Sequence, residues 1–264
     1  MASRLLLRFG ALGYLTVLLL APVVMITYRT FEHGVEPVVS ALSTPTAQHA
    51  IYLSILVTLI AVPLNVAFGL MAGVAIARRR MPAGPAVNLL VNLPFAMSPV
   101  VIGLALYTLY GRGGWLGDWL SAHGIQVLFS LPALVLATTF VSLSFVVREV
   151  VPVLQEIGTD QEQAAATLGA NAMTTFWRIT LPALRWALAY GVVLTAARAL
   201  GEFGAVSIVS GNIVGQTQTL PLLVEERFRN FDAVGAYSAG FALALISLFI
   251  VAAMTVLSRR KEHS

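Results

Sequence analysis

Residues 51–77 read IYLSILVTLIAVPLNVAFGLMAGVAIA, twenty-seven positions without a charged side chain, and Arg78-Arg79-Arg80 follow at once. A helix rises about 1.5 Å per residue, so this run is long enough to cross a hydrocarbon core about 30 Å thick. It also carries a packing face. Asn65, Gly69, Gly73 and Ala77 recur every four residues, with Pro63 just before them. Small residues at that spacing let a second helix come close in a membrane.

Five further apolar runs of comparable length surround this one, at 5–28, 86–110, 131–154, 183–207 and 236–257. Composition agrees, with 58% hydrophobic and 11% charged residues. A soluble domain carries about 25% charged residues, so most of this surface faces lipid or other apolar helices. The expected fold class is all-α, an integral membrane bundle of six transmembrane helices in one domain, 1–264. Arg4 and Arg8 before the first run resemble a signal peptide. The length of that run, and the lack of a small-residue cleavage site after Ile26, favour a retained helix.

Basic residues give the sidedness. Arg4, Arg8, Arg78, Arg79, Arg80, Arg178, Arg185, Arg259, Arg260 and Lys261 flank one face, against Arg29, Arg112, Arg227 and Arg229 on the other. The positive-inside rule puts the first set, and both termini, in the cytoplasm. The net charge of +4 therefore reports topology, and no nucleic-acid groove is expected.

The long cytoplasmic connection, 155–182, is rich in local signals. Thr159 and Glu162 have capping-box spacing, so a helix should begin after Thr159. Gly169 is placed to end it. Asn171 can cap a second short helix that runs through Phe176 and Trp177, and Pro182 suits the first turn of the fifth span. Helices this short need a surface to dock on. Ala164-Ala165-Ala166 would let a partner come near, and Phe176 and Trp177 would supply apolar contact.

The spacing of that connection resembles the cytoplasmic signature of ABC importer permeases: Glu-Ala-Ala, three residues, Gly, nine residues, Ile-x-Leu-Pro. Here Gln163-Ala164-Ala165, Gly169 and Ile179-Thr180-Leu181-Pro182 keep both intervals, with Gln163 where the family has Glu. The resemblance implies the type I importer permease fold. It also implies that Gln163, Ala164, Ala165, Gly169, Phe176, Trp177, Ile179, Leu181 and Pro182 form the contact with an ATPase. The chain contains no G-x-x-x-x-G-K-[ST] motif. ATP is therefore expected on a separate subunit, with no cofactor on this one.

Within the fifth run, Arg198 and Glu202 stand four apart. Intramembrane charges are costly and mark either an internal pair or a functional path. Arg148-Glu149, near the inner end of the fourth run, can snorkel to the interface. After Gly211, Thr219 and Pro221 should open a short outer helix carrying Glu225 and Glu226. That segment is either a contact for an external binding protein or a lid on the bundle.

From Arg148 to Ala236 the chain resembles the sulfate/thiosulfate permeases of the CysW type. The likeness rests on Arg148-Glu149, Leu181-Pro182, Arg185-Trp186, Ala197-Arg198-Ala199, Gly201-Glu202-Phe203-Gly204-Ala205-Val206-Ser207, Ser210-Gly211-Asn212-Ile213 and Thr219-Leu220-Pro221-Leu222. It implies a bacterial cytoplasmic (inner) membrane complex. Its other members would be a CysT-type second permease, two CysA-type ATPase subunits and an extracytoplasmic sulfate/thiosulfate-binding protein. Arg198, Glu202 and Asn212 are the candidates for the translocation path. Molybdate permeases share the Leu-Gly-Glu-Phe-Gly-Ala and Gly-Asn-Ile patterns, so another oxyanion is the alternative cargo. A secondary transporter would show paired inverted halves, and none is visible. His33, His49, His123 and His263 lack metal-ligand spacing, cysteine is absent, and no catalytic set is seen.

Overall fold

The computed structural model describes residues 2–78 and 84–260, with side chains for 13–78 and 86–253. The described residues form helices and no strand. In chain order the structure begins with α1 (Ala2–Phe31), α2 (Glu36–Leu42) and α3 (Pro45–Ala77). Then come α4 (Gly84–Ala96), α5 (Pro99–Tyr110), α6 (Gly117–Ala122) and α7 (Leu131–Ile157). The connection 155–182 holds α8 (Asp160–Thr167), α9 (Ala172–Thr175), a π-helical turn (Phe176–Thr180) and α10 (Leu181–Ala183). The rest of the chain is α11 (Arg185–Leu200), α12 (Gly204–Val209), α13 (Leu220–Arg229) and α14 (Ala233–Arg260). Arg79, Arg80, Lys261 and His263, used in the sequence argument, lie outside the described residues.

Four helices are continuous, long and apolar enough to cross a membrane: Gly13–Phe31 of α1, then α3, α7 and Ala233–Ala253 of α14. The α3 helix starts at Pro45, before the expected 51. There Thr44 accepts the Ala47 N–H at 3.3 Å, and a proline in the first turn loses no hydrogen bond.

The third and fifth runs differ from the expected continuous spans. Run 86–110 is α4 and α5, meeting at 109°. Pro99 disfavours helical geometry at the residue before it, and Ser98 is extended at ψ 135°. Run 183–207 is α11 and α12, separated by 201–203. At its N-terminal end α11 meets the preceding short helices at 69°. Pro182 thus lies in the turn before the bend, and α11 itself begins at Arg185. Six spans are reached when each bent helix pair is taken as one crossing.

The α3 and α7 helices form the central pair and run parallel. Asn65 Nδ2 donates to Ser142 Oγ at 2.9 Å. A Cβ on Gly69 would stand 2.5 Å from Val146, and one on Gly73 2.8 Å from Val150. Every fourth residue of one helix therefore seats against every fourth residue of the other, as the small-residue face implied. Lipid is as apolar as these side chains, so the contact is held by close packing and hydrogen bonds rather than by escape from water.

A core of Leu53, Val57, Ile102, Leu134, Val141 and Val206 joins α3, α5, α7 and α12. Gly103 and Gly204 let α5 and α12 touch, since a Cβ on Gly103 would lie 2.7 Å from the Ala205 carbonyl oxygen. The two breaks are thereby brought side by side. By contrast, residues 13–29 of α1 are exposed throughout, and the helix is tied to α14 near its C-terminal end. There Thr30 Oγ1 donates to the Tyr237 carbonyl at 3.2 Å, and Phe31 meets Phe241 edge-on at 5.2 Å.

Candidate functional site

The connection 155–182 folds around a C-cap and an N-cap in series. The first helix starts after Thr159, but the capping-box bonds do not form. Thr159 makes no side-chain cap, and its hydroxyl instead accepts from Gln163 Nε2 at 2.8 Å. Glu162 turns away to Arg78, 2.8 Å distant. The guanidinium brings a full opposite charge to the carboxylate, which a backbone amide does not, so the Arg78 bond is favoured over the capping-box bond.

The end of α8 is a Schellman motif. Gly169 has φ +84°. Its N–H donates to Ala166 O at 3.0 Å, and the Ala170 N–H donates to Ala165 O at 3.0 Å, so two late carbonyls are satisfied. Asn171 then caps α9, accepting the Thr174 N–H at 2.8 Å. The π turn that follows fits the residue after it. Pro182 has no N–H, and its ring would crowd the Arg178 carbonyl in a regular helix. The Leu181 N–H bonds Phe176 O instead.

This arrangement leaves a bare rim. Gln163, Ala164, Gly169, Trp177 and Pro182 are exposed, whereas Ala165, Phe176, Ile179 and Leu181 are half-buried. Leu168 and Met173 join the exposed set, at 88% and 65%. Trp177 Nε1 donates to Met173 Sδ at 3.1 Å, and its ring meets Phe176 edge-on. Three large apolar side chains therefore stand uncovered around one helix–turn–helix.

The second candidate region is the break in the fifth run. Arg198 and Glu202 form an ion pair at 2.5 Å, with the Glu202 side chain 2% exposed and that of Arg198 30%. Glu202 Oε1 also accepts the Ala205 N–H at 2.8 Å. Asn212 lies beyond α12 at φ +49°, and its N–H donates to Ser210 Oγ at 3.0 Å. Its Oδ1 is buried without a partner. Among the described residues no hydrogen bond or ion pair joins Asn212 to Arg198 or Glu202. Arg148 stacks over the Phe95 ring at 4.2 Å, linking α7 to α4.

The chain matches the family described as "binding-protein-dependent transport system inner membrane component" over residues 65–263. It is 46% identical over 253 residues to the sulfate transport system permease protein CysW of Synechocystis sp., covering 96% of this chain and 92% of that one. The CysW of Synechococcus elongatus is 47% identical over 262 residues, covering 98% and 92%. The CysT of Synechococcus elongatus is 35% identical over 238 residues, covering 90% and 86%. In fold, the chain resembles a bacterial ABC transporter involved in import of the acidic polysaccharide alginate. That comparison has a TM-score of 0.81 and 16% identity, covering 96% of this chain and 94% of that one. The chain belongs to the binding-protein-dependent transport permeases, of the CysW type.

In this permease of the CysW type α13 begins near Thr219, as its proline and threonine implied, and its buried first turn is packed on the bundle. Leu220, Leu222 and Leu223 are buried, and the Leu220 N–H is capped by Ser54 Oγ of α3 at 2.8 Å. Arg227 reaches the Ala41 carbonyl and Thr44 Oγ1 at 3.3 and 3.2 Å. The segment is therefore a lid over its first half. At its far end Phe228 and Phe231 are exposed. Among the described residues no group of acids or histidines could hold a metal.

Sequence reasoning missed Leu168 and Met173 as parts of the bare rim. Met173 and Trp177 are four apart, a helical pairing that was available to read. It also missed Arg78 and Thr180 as partners of Glu162, which no local signal reveals.

Proposed function

We propose that this permease lines the import path of an ATP-driven transporter for sulfate and thiosulfate. ATP is bound and hydrolysed by two separate ATPase subunits of the CysA type. The observation that carries the coupling part of this reading is the uncovered rim of Leu168, Met173 and Trp177 around Gly169. An apolar rim on short polar-faced helices suits a cleft in a partner protein. Gln163, Ala164 and Ala165 bring the backbone of α8 close to that partner, while Phe176, Ile179, Leu181 and Pro182 carry the motion toward α11.

A CysT-type permease completes the path, and the similarity of this chain to a CysT protein supports two related halves. An extracytoplasmic sulfate/thiosulfate-binding protein delivers the anion. The exposed end of α13 is the surface it would meet. Both termini lie in the cytoplasm, on the side of Arg78, Arg178 and Arg185. Arg198, Glu202 and Asn212 border the path, where Arg198 offsets anionic charge. Weak binding suits conduction, since whatever enters must also leave.

The test is uptake of labelled sulfate, thiosulfate and molybdate by a deletion strain given this chain with its partner subunits. Restored sulfate or thiosulfate uptake is expected. Restored molybdate uptake without either would overturn the cargo assignment.

A further inference from the structure

Helix α8 lacks the usual means of attachment. None of its residues is buried, and two turns of helix are unstable alone in water. Two of its side chains bond only locally, Gln163 to Thr159 and Thr167 to the Ala164 carbonyl. Beneath it lies a cavity of about 240 Å³, walled in part by Val74, Ala166, Ala170 and Phe176. Shape therefore does little to hold it.

One carboxylate oxygen does the holding. Glu162 Oε1 accepts from Arg78 Nη2 at 2.8 Å and from Thr180 Oγ1 at 2.9 Å. Arg78 also donates Nη1 to the Leu154 carbonyl at 2.8 Å. Among the described residues the two bonds of Glu162 are the only side-chain hydrogen bonds from α8 to another helical element. With the Arg78 bond to Leu154 they gather the end of α3, the end of α7 and the π turn before α11 at a single point. The Arg78 side chain is 5% exposed and that of Glu162 19%, so water screens the pair little.

We propose that Arg78, Glu162 and Thr180 are positioning residues, the joint through which displacement of α8 enters the α3–α7 pair. The inference rests on the reading of α8 and α9 as the ATPase contact. Because Gly69 and Gly73 seat α3 against Val146 and Val150, α3 and α7 move as one body. A force arriving at Arg78 and Leu154 therefore reaches the middle of the bundle. The covalent route through Pro182 to α11 is then the second of two connections.

The assembled complex in proteoliposomes gives the test, read as ATP hydrolysed per labelled sulfate delivered. Glu162→Ala should raise that ratio about five- to tenfold, and Thr180→Val less. Arg78→Glu and Glu162→Arg should each raise it, whereas the two together should return it to within about threefold of wild type. A double variant no better than either single would overturn the joint. Hydrogen exchange on the purified chain reads the same joint whatever the cargo. Glu162→Ala should speed exchange of the α8 amides and leave those of α3 and α7 unchanged. Unchanged α8 exchange would overturn the proposal. Wild-type complex that imports no sulfate, with α8 exchange altered as expected, would refute the cargo and leave the joint standing.

Discussion

Arg198 Nη1 lies 2.5 Å from one oxygen of Glu202, while the other oxygen of that carboxylate accepts the Ala205 N–H at 2.8 Å. One buried acid therefore spans the break between α11 and α12. It neutralises Arg198 in the last turn of α11 and caps the Ala205 N–H at the start of α12, where the N-cap residue Phe203 has no side-chain acceptor to offer. A chain can leave helical geometry inside a membrane only where its freed backbone groups find partners, and Glu202 provides one.

The ion pair can be separated from its effect on transport. Glu202→Ala strands Arg198 beside an apolar interior and is expected to cost about 3–5 kcal/mol in thermal unfolding of the purified protein in detergent. Arg198→Leu combined with Glu202→Gln removes both charges and keeps an amide oxygen for Ala205, so stability should return to within about 1 kcal/mol. If the guanidinium faces the anion, that stable double variant imports sulfate about tenfold more slowly. Full uptake by the double variant would leave the pair a structural role only.

Much of the connection 155–182 was legible because its determinants are local. Gly169 needs positive φ and Asn171 offers its own side chain to Thr174, and both facts reside within four residues of sequence. The partner of Glu162 was not legible. Arg78 lies 84 residues away, and local spacing assigned that carboxylate to a capping box that the ion pair displaces. The bends were missed for a similar reason. Hydropathy sees apolar length, so 86–110 read as one span although Pro94 and Pro99 were in view. What turns a proline pair into a 109° bend is the seat that α12 offers α5 at Gly103 and Gly204.

The parallel α3–α7 seam predicts a compensating pair. Gly69→Ala places a methyl 2.5 Å from Val146 and should lower stability by about 1–3 kcal/mol through overpacking. Val146→Ala in the same chain opens the space and should recover most of that loss. Thermal unfolding of the two single variants and the double checks it. Purely additive losses would mean that the two residues do not share the contact.

Gly169 should respond to backbone conformation and not to bulk. A Cβ there would meet nothing within 4 Å, yet φ is +84°. Gly169→Asn, which tolerates the left-handed region, should keep most uptake. Gly169→Ala should cost about 1 kcal/mol in the Schellman turn, and Gly169→Arg should uncouple ATP hydrolysis from sulfate import. Uptake and hydrolysis measured together give the ranking. Equal uptake by the Asn, Ala and Arg variants would remove the turn from the coupling path.

The bare rim predicts loss of assembly without loss of folding. Leu168 and Trp177 make few contacts inside this chain, so Leu168→Ala and Trp177→Ala should leave its own thermal unfolding within about 0.5 kcal/mol of wild type. A buried tryptophan anchor is worth about 2 kcal/mol or more at an interface, which is about a thirtyfold weakening of the ATPase subunit's hold. Co-purification of the ATPase with each variant, set beside the unfolding curve of the variant alone, measures both. If Trp177→Ala retains its ATPase at wild-type yield, the contact must run through the Ala164–Ala165 face instead, where Ala165→Trp should then abolish it.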